Sequence, residues 1–176
     1  MGFIVKKPGL WTTVQDLGRT GWQRYGVPVG GPMDEVSHRI ANALAGNPAD
    51  AAALEMTLAG GEFQLTEDAV IAVCGADMNP CVDGVKLPMW RPVLVRAGST
   101  IRFSGAARGR FAYLAVRGGL DVPGVLGSRS SAVHAAFPGI SGRTLREGDV
   151  LPVADHPLSP AFKEFPWPEG GEGKFK

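Results

Sequence analysis

Leu54-Glu55-Met56-Thr57-Leu58 alternates apolar and polar side chains with a period of two. Successive Cβ atoms of an extended chain leave opposite faces, so Leu54, Met56 and Leu58 share one face while Glu55 and Thr57 share the other. The pattern predicts a strand with one buried face. Ile101 and Phe103 repeat it against Thr100, Arg102 and Ser104. Working outward, short runs rich in Val, Ile, Leu and Phe occupy residues 3–5, 11–14, 69–73, 92–95, 111–116 and 150–153. Asp83-Gly84 stands between Cys81-Val82 and Val85-Lys86-Leu87, and Gly readily takes the positive φ of a tight hairpin turn. The 25 Gly and 14 Pro residues punctuate these segments. Together they predict a mainly β domain of many short strands, built as a barrel or a sandwich.

One helix is expected near 34–45. Asp34 is placed to cap its first N–H groups, a contribution of about 1 kcal/mol, and Gly46-Asn47-Pro48 should end it. Val36, Ile40, Ala43 and Leu44 form an i, i+4, i+7, i+8 stripe expected to face the core. Glu35, His38, Arg39 and Asn42 then fall on the remaining surface. After Asp155, His156-Pro157, Ser159-Pro160, Pro166-Trp167-Pro168 and Gly170-Gly171 predict a linker-like tail over 156–176.

The composition bounds the function classes. Hydrophobic residues at 44% and charged residues at 20% are ordinary for a folded domain. With 18 Lys and Arg against 17 Asp and Glu, the net charge of +1 supplies no general attraction for nucleic acid or an anionic membrane. No apolar run reaches a bilayer's thickness, and the expected location is cytoplasmic. Cys74 and Cys81 fit no disulfide framework or paired zinc motif, and His38, His134 and His156 lack metal-site spacing, so no metal is predicted.

The segment Thr12-Thr13-Val14-Gln15-Asp16-Leu17-Gly18-Arg19 is followed by Gly26-Val27-Pro28 and Gly31-Pro32-Met33-Asp34. Ser37-His38-Arg39-Ile40-Ala41-Asn42, Gly46-Asn47 and Leu54-Glu55-Met56-Thr57-Leu58 continue the order. Val116-Arg117-Gly118-Gly119, Leu126-Gly127-Ser128-Arg129-Ser130 and Gly142-Arg143-Thr144-Leu145-Arg146-Glu147-Gly148-Asp149 complete it. As a set these resemble the carboxyltransferase-type family that includes a 5-oxoprolinase subunit, an allophanate hydrolase subunit and the urea carboxylase carboxyltransferase domain. Gly30 stands where that family often has Ser, and residues 134–139 are less Gly-rich than usual.

The resemblance implies that residues 1–155 are the N-terminal part of such a subunit, without the usual C-terminal cyclophilin-like portion, and are not an active enzyme alone. It implies a companion carboxyltransferase-type subunit and a further oxoprolinase component, in an oligomer or complex that hydrolyses 5-oxoproline to glutamate with ATP. A second implication is carboxyl transfer from carboxybiotin to a urea-like amide. A third is a non-catalytic binding role like that of antagonists of a sporulation-kinase inhibitor. ATP or carboxybiotin would belong to the wider complex, since the chain has no phosphate-binding Gly-x-x-x-x-Gly-Lys-Ser/Thr loop and no Ala-Met-Lys-Met biotin site.

Six residues are candidates for chemistry. Arg19 can grip a carboxylate in two parallel hydrogen bonds and Gln15 can orient an amide; the structural alternative is an Asp16–Arg19 ion pair that locks the Gly18 turn. Asp34 is a candidate base whose competing role is the helix cap. Arg39 and Asn42 share an approximate helical face able to donate to an anion. Glu55 points opposite to Leu54 and Met56, and in a cleft it would move protons. Arg19, Asp34 and Glu55 are thus the catalytic candidates, and Gln15, Arg39 and Asn42 the substrate-binding ones. Ser130 and Ser131 precede His134 without a nucleophile elbow, which favours a turn.

Overall fold

The alternation at 54–58 forms the strand Ala53–Thr57, an interior strand of one of two antiparallel sheets. In a computed structural model, residues 2–135 and 142–155 are described. The tail expected at 156–176 lies outside the described residues.

In chain order the strands are β1 (Gly2–Lys7), β2 (Thr12–Gln15), β3 (Ala53–Thr57), β4 (Glu62–Leu65), β5 (Ala69–Asp77), β6 (Cys81–Val82), β7 (Val85–Lys86), β8 (Pro92–Val95), β9 (Thr100–Arg102), β10 (Arg108–Val116) and β11 (Val150–Pro152). One sheet runs β11-β1-β4-β9-β6-β7 and the other β2-β3-β10-β5-β8. Among the described residues both are open and no closed barrel forms, so the domain is sandwich-like. Phe3, Val5, Phe63, Leu65 and Ile101 from the first sheet meet Leu54, Met56, Ile71, Val73, Ala112 and Leu114 from the second in one buried core. Asp83 and Gly84 both take positive φ, 49° and 87°, at the β6–β7 hairpin, the geometry that suits the twist of the flanking strands.

The second sheet is covered again on its outer face by the helix α1 (Glu35–Ala45). Asp34 caps it, its carboxylate accepting from the Ser37 N–H at 3.0 Å and the Ser37 hydroxyl at 2.6 Å. The buried face corrects the expectation from the sequence. Val36 is 67% exposed and Ile40 38%, whereas Ser37, His38, Ala41, Asn42 and Ala45 are buried. The opposing strand residues explain this reversal: Ala53, Ala72, Cys74 and Ala115 are small, so a helix presenting Ala41 and Ala45 approaches closely where Val and Ile side chains would hold it off. His38 and Asn42 are therefore interior groups, not surface ones. Asn42 donates to the Ala51 carbonyl at 2.8 Å and accepts from Asn47 at 3.0 Å, tying down the helix exit.

Candidate functional site

Glu55 and Tyr113 are direct cross-strand partners between β3 and β10, on the face that turns toward α1. The Tyr113 hydroxyl donates to Glu55 Oε2 at 2.6 Å, and the Met33 N–H donates to the same oxygen at 2.7 Å. Tyr113 Oη in turn accepts from the Asp34 N–H at 2.7 Å. The chain entering α1 is thus pinned onto the Glu55–Tyr113 pair. Burial raises the Glu55 pKa above its ordinary 4.5, the donors from Tyr113 and Met33 oppose that rise, and the nearby Asp34 charge adds to it. Burial and then Glu55 itself push the Tyr113 phenol up, which keeps its proton available for donation.

Glu55 lines a cavity of about 470 Å3 with Gln15, Trp11, Arg110, Ser131 and His134. Gln15 Nε2 donates to Thr13 Oγ1 at 3.0 Å and to the Ser131 carbonyl at 3.1 Å. Among the described residues, nothing donates to Gln15 Oε1, and Ser131 Oγ has no hydrogen-bond partner, although both atoms are buried. Buried polar atoms are normally paired, so the wall keeps acceptor and donor capacity in hand. His38 supports it from behind: its Nε2 lies 3.0 Å from the Gln15 carbonyl, so that nitrogen carries the proton. Burial lowers the His38 pKa, which favours the neutral ring.

The other candidates have different places. Arg19 is fully buried and its guanidinium donates to the Ser130 carbonyl; burial lowers its pKa and the Asp16 charge raises it back in part. Asp16 locks the Gly18 turn directly, accepting from the Gly18 N–H at 2.8 Å, and it also accepts from Ser128 Oγ at 2.6 Å and Ser130 Oγ at 2.7 Å. Neither Arg19 nor Asp16 lines the Glu55 cavity. Asp34 caps the helix and lines a second cleft. Arg39 and Asn42 do not act together: Arg39 is exposed and pairs with Glu35 at 2.7 Å, while Asn42 is wholly buried.

Of the six candidates, the structure brings together Gln15 and Glu55. Tyr113, Arg110, Trp11 and the Met33 N–H escaped the sequence reading. Tyr113 lay one strand pairing away from Glu55, and only the β3–β10 register reveals it. Among the described residues, no cluster of three or more His, Cys, Asp or Glu side chains forms a metal site. No helix there is long and apolar enough to cross a membrane.

Glu55 and most of the cavity's lining sit within a stretch of known ancestry. Residues 25–171 match the family model described as carboxyltransferase domain, subdomain A and B. The chain belongs to this carboxyltransferase domain family. The domain is 43% identical over 145 residues to the urea amidolyase of Saccharomyces cerevisiae, covering 82% of this chain and 8% of that protein. It is 39% identical to a 5-oxoprolinase subunit of Escherichia coli, covering 84% of this chain and 47% of the relative. The crystal structure of the Kluyveromyces lactis urea carboxylase superposes with a TM-score of 0.84 at 41% identity, covering 86% of this chain and 14% of that one. The carboxyltransferase domain therefore spans about half of one relative and a small part of the others, each a larger enzyme or enzyme subunit.

Proposed function

We propose that this chain forms the amide-binding wall of a carboxyltransferase site, where Glu55 takes a proton from a urea-like amide so that its nitrogen can receive a carboxyl group. One observation carries the reading: a buried carboxylate with a raised pKa lines a cavity beside Gln15, whose Oε1 accepts no hydrogen bond among the described residues. Urea presents N–H donors in one plane, and two acceptors on one wall suit them. A general base works best with its pKa moved toward the working pH, and burial moves Glu55 that way. The Tyr113 and Met33 donors hold the carboxylate in one orientation. A carboxylated biotin carried on another domain would supply the carboxyl group. Arg110, which has no carboxylate partner among the described residues, suits the negative charge of such a donor.

The relatives named for urea favour this substrate class. A second reading is a lactam site for ATP-dependent opening of 5-oxoproline with companion subunits, favoured by the likeness to the 5-oxoprolinase subunit. Either way, residues 1–155 would act as one portion of a larger assembly. Met33, 68% exposed at the cavity, and the exposed Val36 on the first turn of α1 offer a companion portion apolar contacts.

The test combines the chain with candidate companion subunits and follows urea-dependent ATP turnover and, separately, glutamate release from 5-oxoproline. Glu55→Gln keeps an acceptor for Tyr113 and Met33 but removes the base. It should lower kcat by about 10²–10⁴-fold while the protein stays folded. Undiminished turnover in that variant would sink the assignment. Partner binding without turnover on either substrate would leave the regulatory role.

A further inference from the structure

A second cleft, of about 750 Å3, shares Arg110 and Phe111 with the Glu55 cavity. An irregularity of the sheet builds it. β5 and β10 pair in step from Ile71↔Val116 to Gly75↔Ala112, then shift before Asp77↔Arg108. Over that step β10 advances four residues while β5 advances two. Gly75 makes the bulge possible: at φ +89° its Cα lies so close to β10 that a Cβ would meet the Phe111 carbonyl at 2.4 Å. Bulges bend a strand and re-aim its side chains, and here Arg108 and Arg110 line the cleft.

Lys86, Met89 and Trp90 line it as well. Trp90 holds φ +61° and leaves 47% of its surface exposed. A bulky residue in the left-handed region costs on the order of 1–3 kcal/mol. An exposed indole returns little packing for that cost. The conformation is fixed from behind, where the Trp90 N–H donates to the Val73 carbonyl at 2.8 Å. The charges in the cleft are unevenly committed. Asp34 accepts from Ser37, and Asp77 accepts from the Asn79 N–H at 2.9 Å. Lys86, Arg108 and Arg110 have no carboxylate partner among the described residues.

We propose that this cleft binds a small carboxylate carried on a planar ring, the ring lying against the Trp90 indole and the carboxylate meeting the Arg108, Arg110 and Lys86 cations. A guanidinium fork matches a carboxylate in two parallel hydrogen bonds, and a half-exposed indole presents a flat apolar face to a ring. The cleft shares Arg110 and Phe111 with the Glu55 cavity, but Lys86, Trp90 and Arg108 line it alone, and the proposal does not depend on the substrate proposed there.

The test is a titration of the full ¹⁵N-labelled chain with benzoate and, separately, with benzamide, its neutral counterpart. The indole N–H signal of Trp90, assigned through Trp90→Phe, reports the cleft; that of Trp11 reports the Glu55 cavity. Benzoate should perturb Trp90 and bind about tenfold more tightly than benzamide, as charge-assisted hydrogen bonds require. The double substitution Arg108→Gln/Arg110→Gln should remove that preference. Trp90→Gly should weaken both ligands without lowering the thermal midpoint, because Gly relieves the positive φ. Equal binding of the two probes, a preference that survives the double substitution, or perturbation of Trp11 in place of Trp90 would overturn the proposal. So would the absence of any benzoate response.

Discussion

Replacing Asp16 with Ala tests whether the loop that carries Ser131 depends on one carboxylate. Asp16 is 7% exposed, and its oxygens accept from the N–H groups of Gly18 and Arg129 and the hydroxyls of Ser128 and Ser130. Ser130 Oγ has another acceptor in the Asp16 carbonyl at 3.1 Å, and the Ser128 O–H, whose oxygen accepts from the Ser130 N–H at 3.0 Å, can rotate. The two backbone donors do not share that relief, and each costs about 1–3 kcal/mol when left unmet. Loss of the negative charge beside the buried Arg19 adds to this. The expected loss is about 4 kcal/mol, with Asp16→Asn near half of it because one acceptor oxygen survives. Urea denaturation at several pH values reads it. Burial pushes the Asp16 pKa up, but the donors from Ser128, Arg129, Ser130 and Gly18 together hold it below the ordinary 3.8. A carboxylate with a depressed folded-state pKa stabilises the fold above its unfolded value, and that stability is lost as pH falls through the folded one. The gap between the native chain and Asp16→Asn should therefore close in acid. A loss below about 1 kcal/mol at neutral pH, or a gap that persists in acid, would refute the assignment.

The Tyr113 hydroxyl favours ionised Glu55, so Tyr113→Phe should raise the Glu55 pKa further and move the acidic limb of a kcat/KM profile to higher pH; an unmoved limb would show that Glu55 does not titrate in the reaction. At the helix–sheet interface, Ala41→Leu should cost about 1–3 kcal/mol in thermal or urea unfolding through overpacking, whereas Val36→Glu on the same helix should stay within about 0.5 kcal/mol. The reverse ranking would restore the apolar stripe as the buried face.

How far the sequence could be read depended on where the determining partner lay. The strand at Pro92–Val95 and the β6–β7 hairpin rest on short-range rules, namely a short run rich in Val and Leu and the positive φ of Asp83-Gly84, and both were legible. The strand Glu62–Leu65 was not anticipated, because Glu62 and Gln64 interrupt Phe63 and Leu65 over only four residues. The orientation of α1 was misread for a tertiary reason: the face a helix buries depends on the size of what it meets, and the Ala-rich surface of the second sheet is assembled from three strands far apart in the chain. Glu55 was legible because alternation alone sets its face. Its partner Tyr113 is 58 residues away, and no local pattern encodes that register. Arg19 illustrates the opposite failure, since a residue type suited to binding a carboxylate lies instead in the interior, beneath the Ser128–Ser131 segment.

The helix reversal and the candidate site have one cause. Small residues on α1 and on the second sheet let the helix settle close to β5 and β10, and this brings Met33 and Asp34, at its entry, within reach of the Glu55–Tyr113 pair. Their two N–H groups then donate into that pair, Met33 to the carboxylate and Asp34 to the phenol that supports it. A larger helix face would lift the entry segment away and leave Glu55 with Tyr113 alone among these donors. The Ala content of the interface thus matters for chemistry as well as for packing. It sets the number of donors reaching a buried carboxylate, and that number decides how far burial can raise its pKa before the charge is lost altogether.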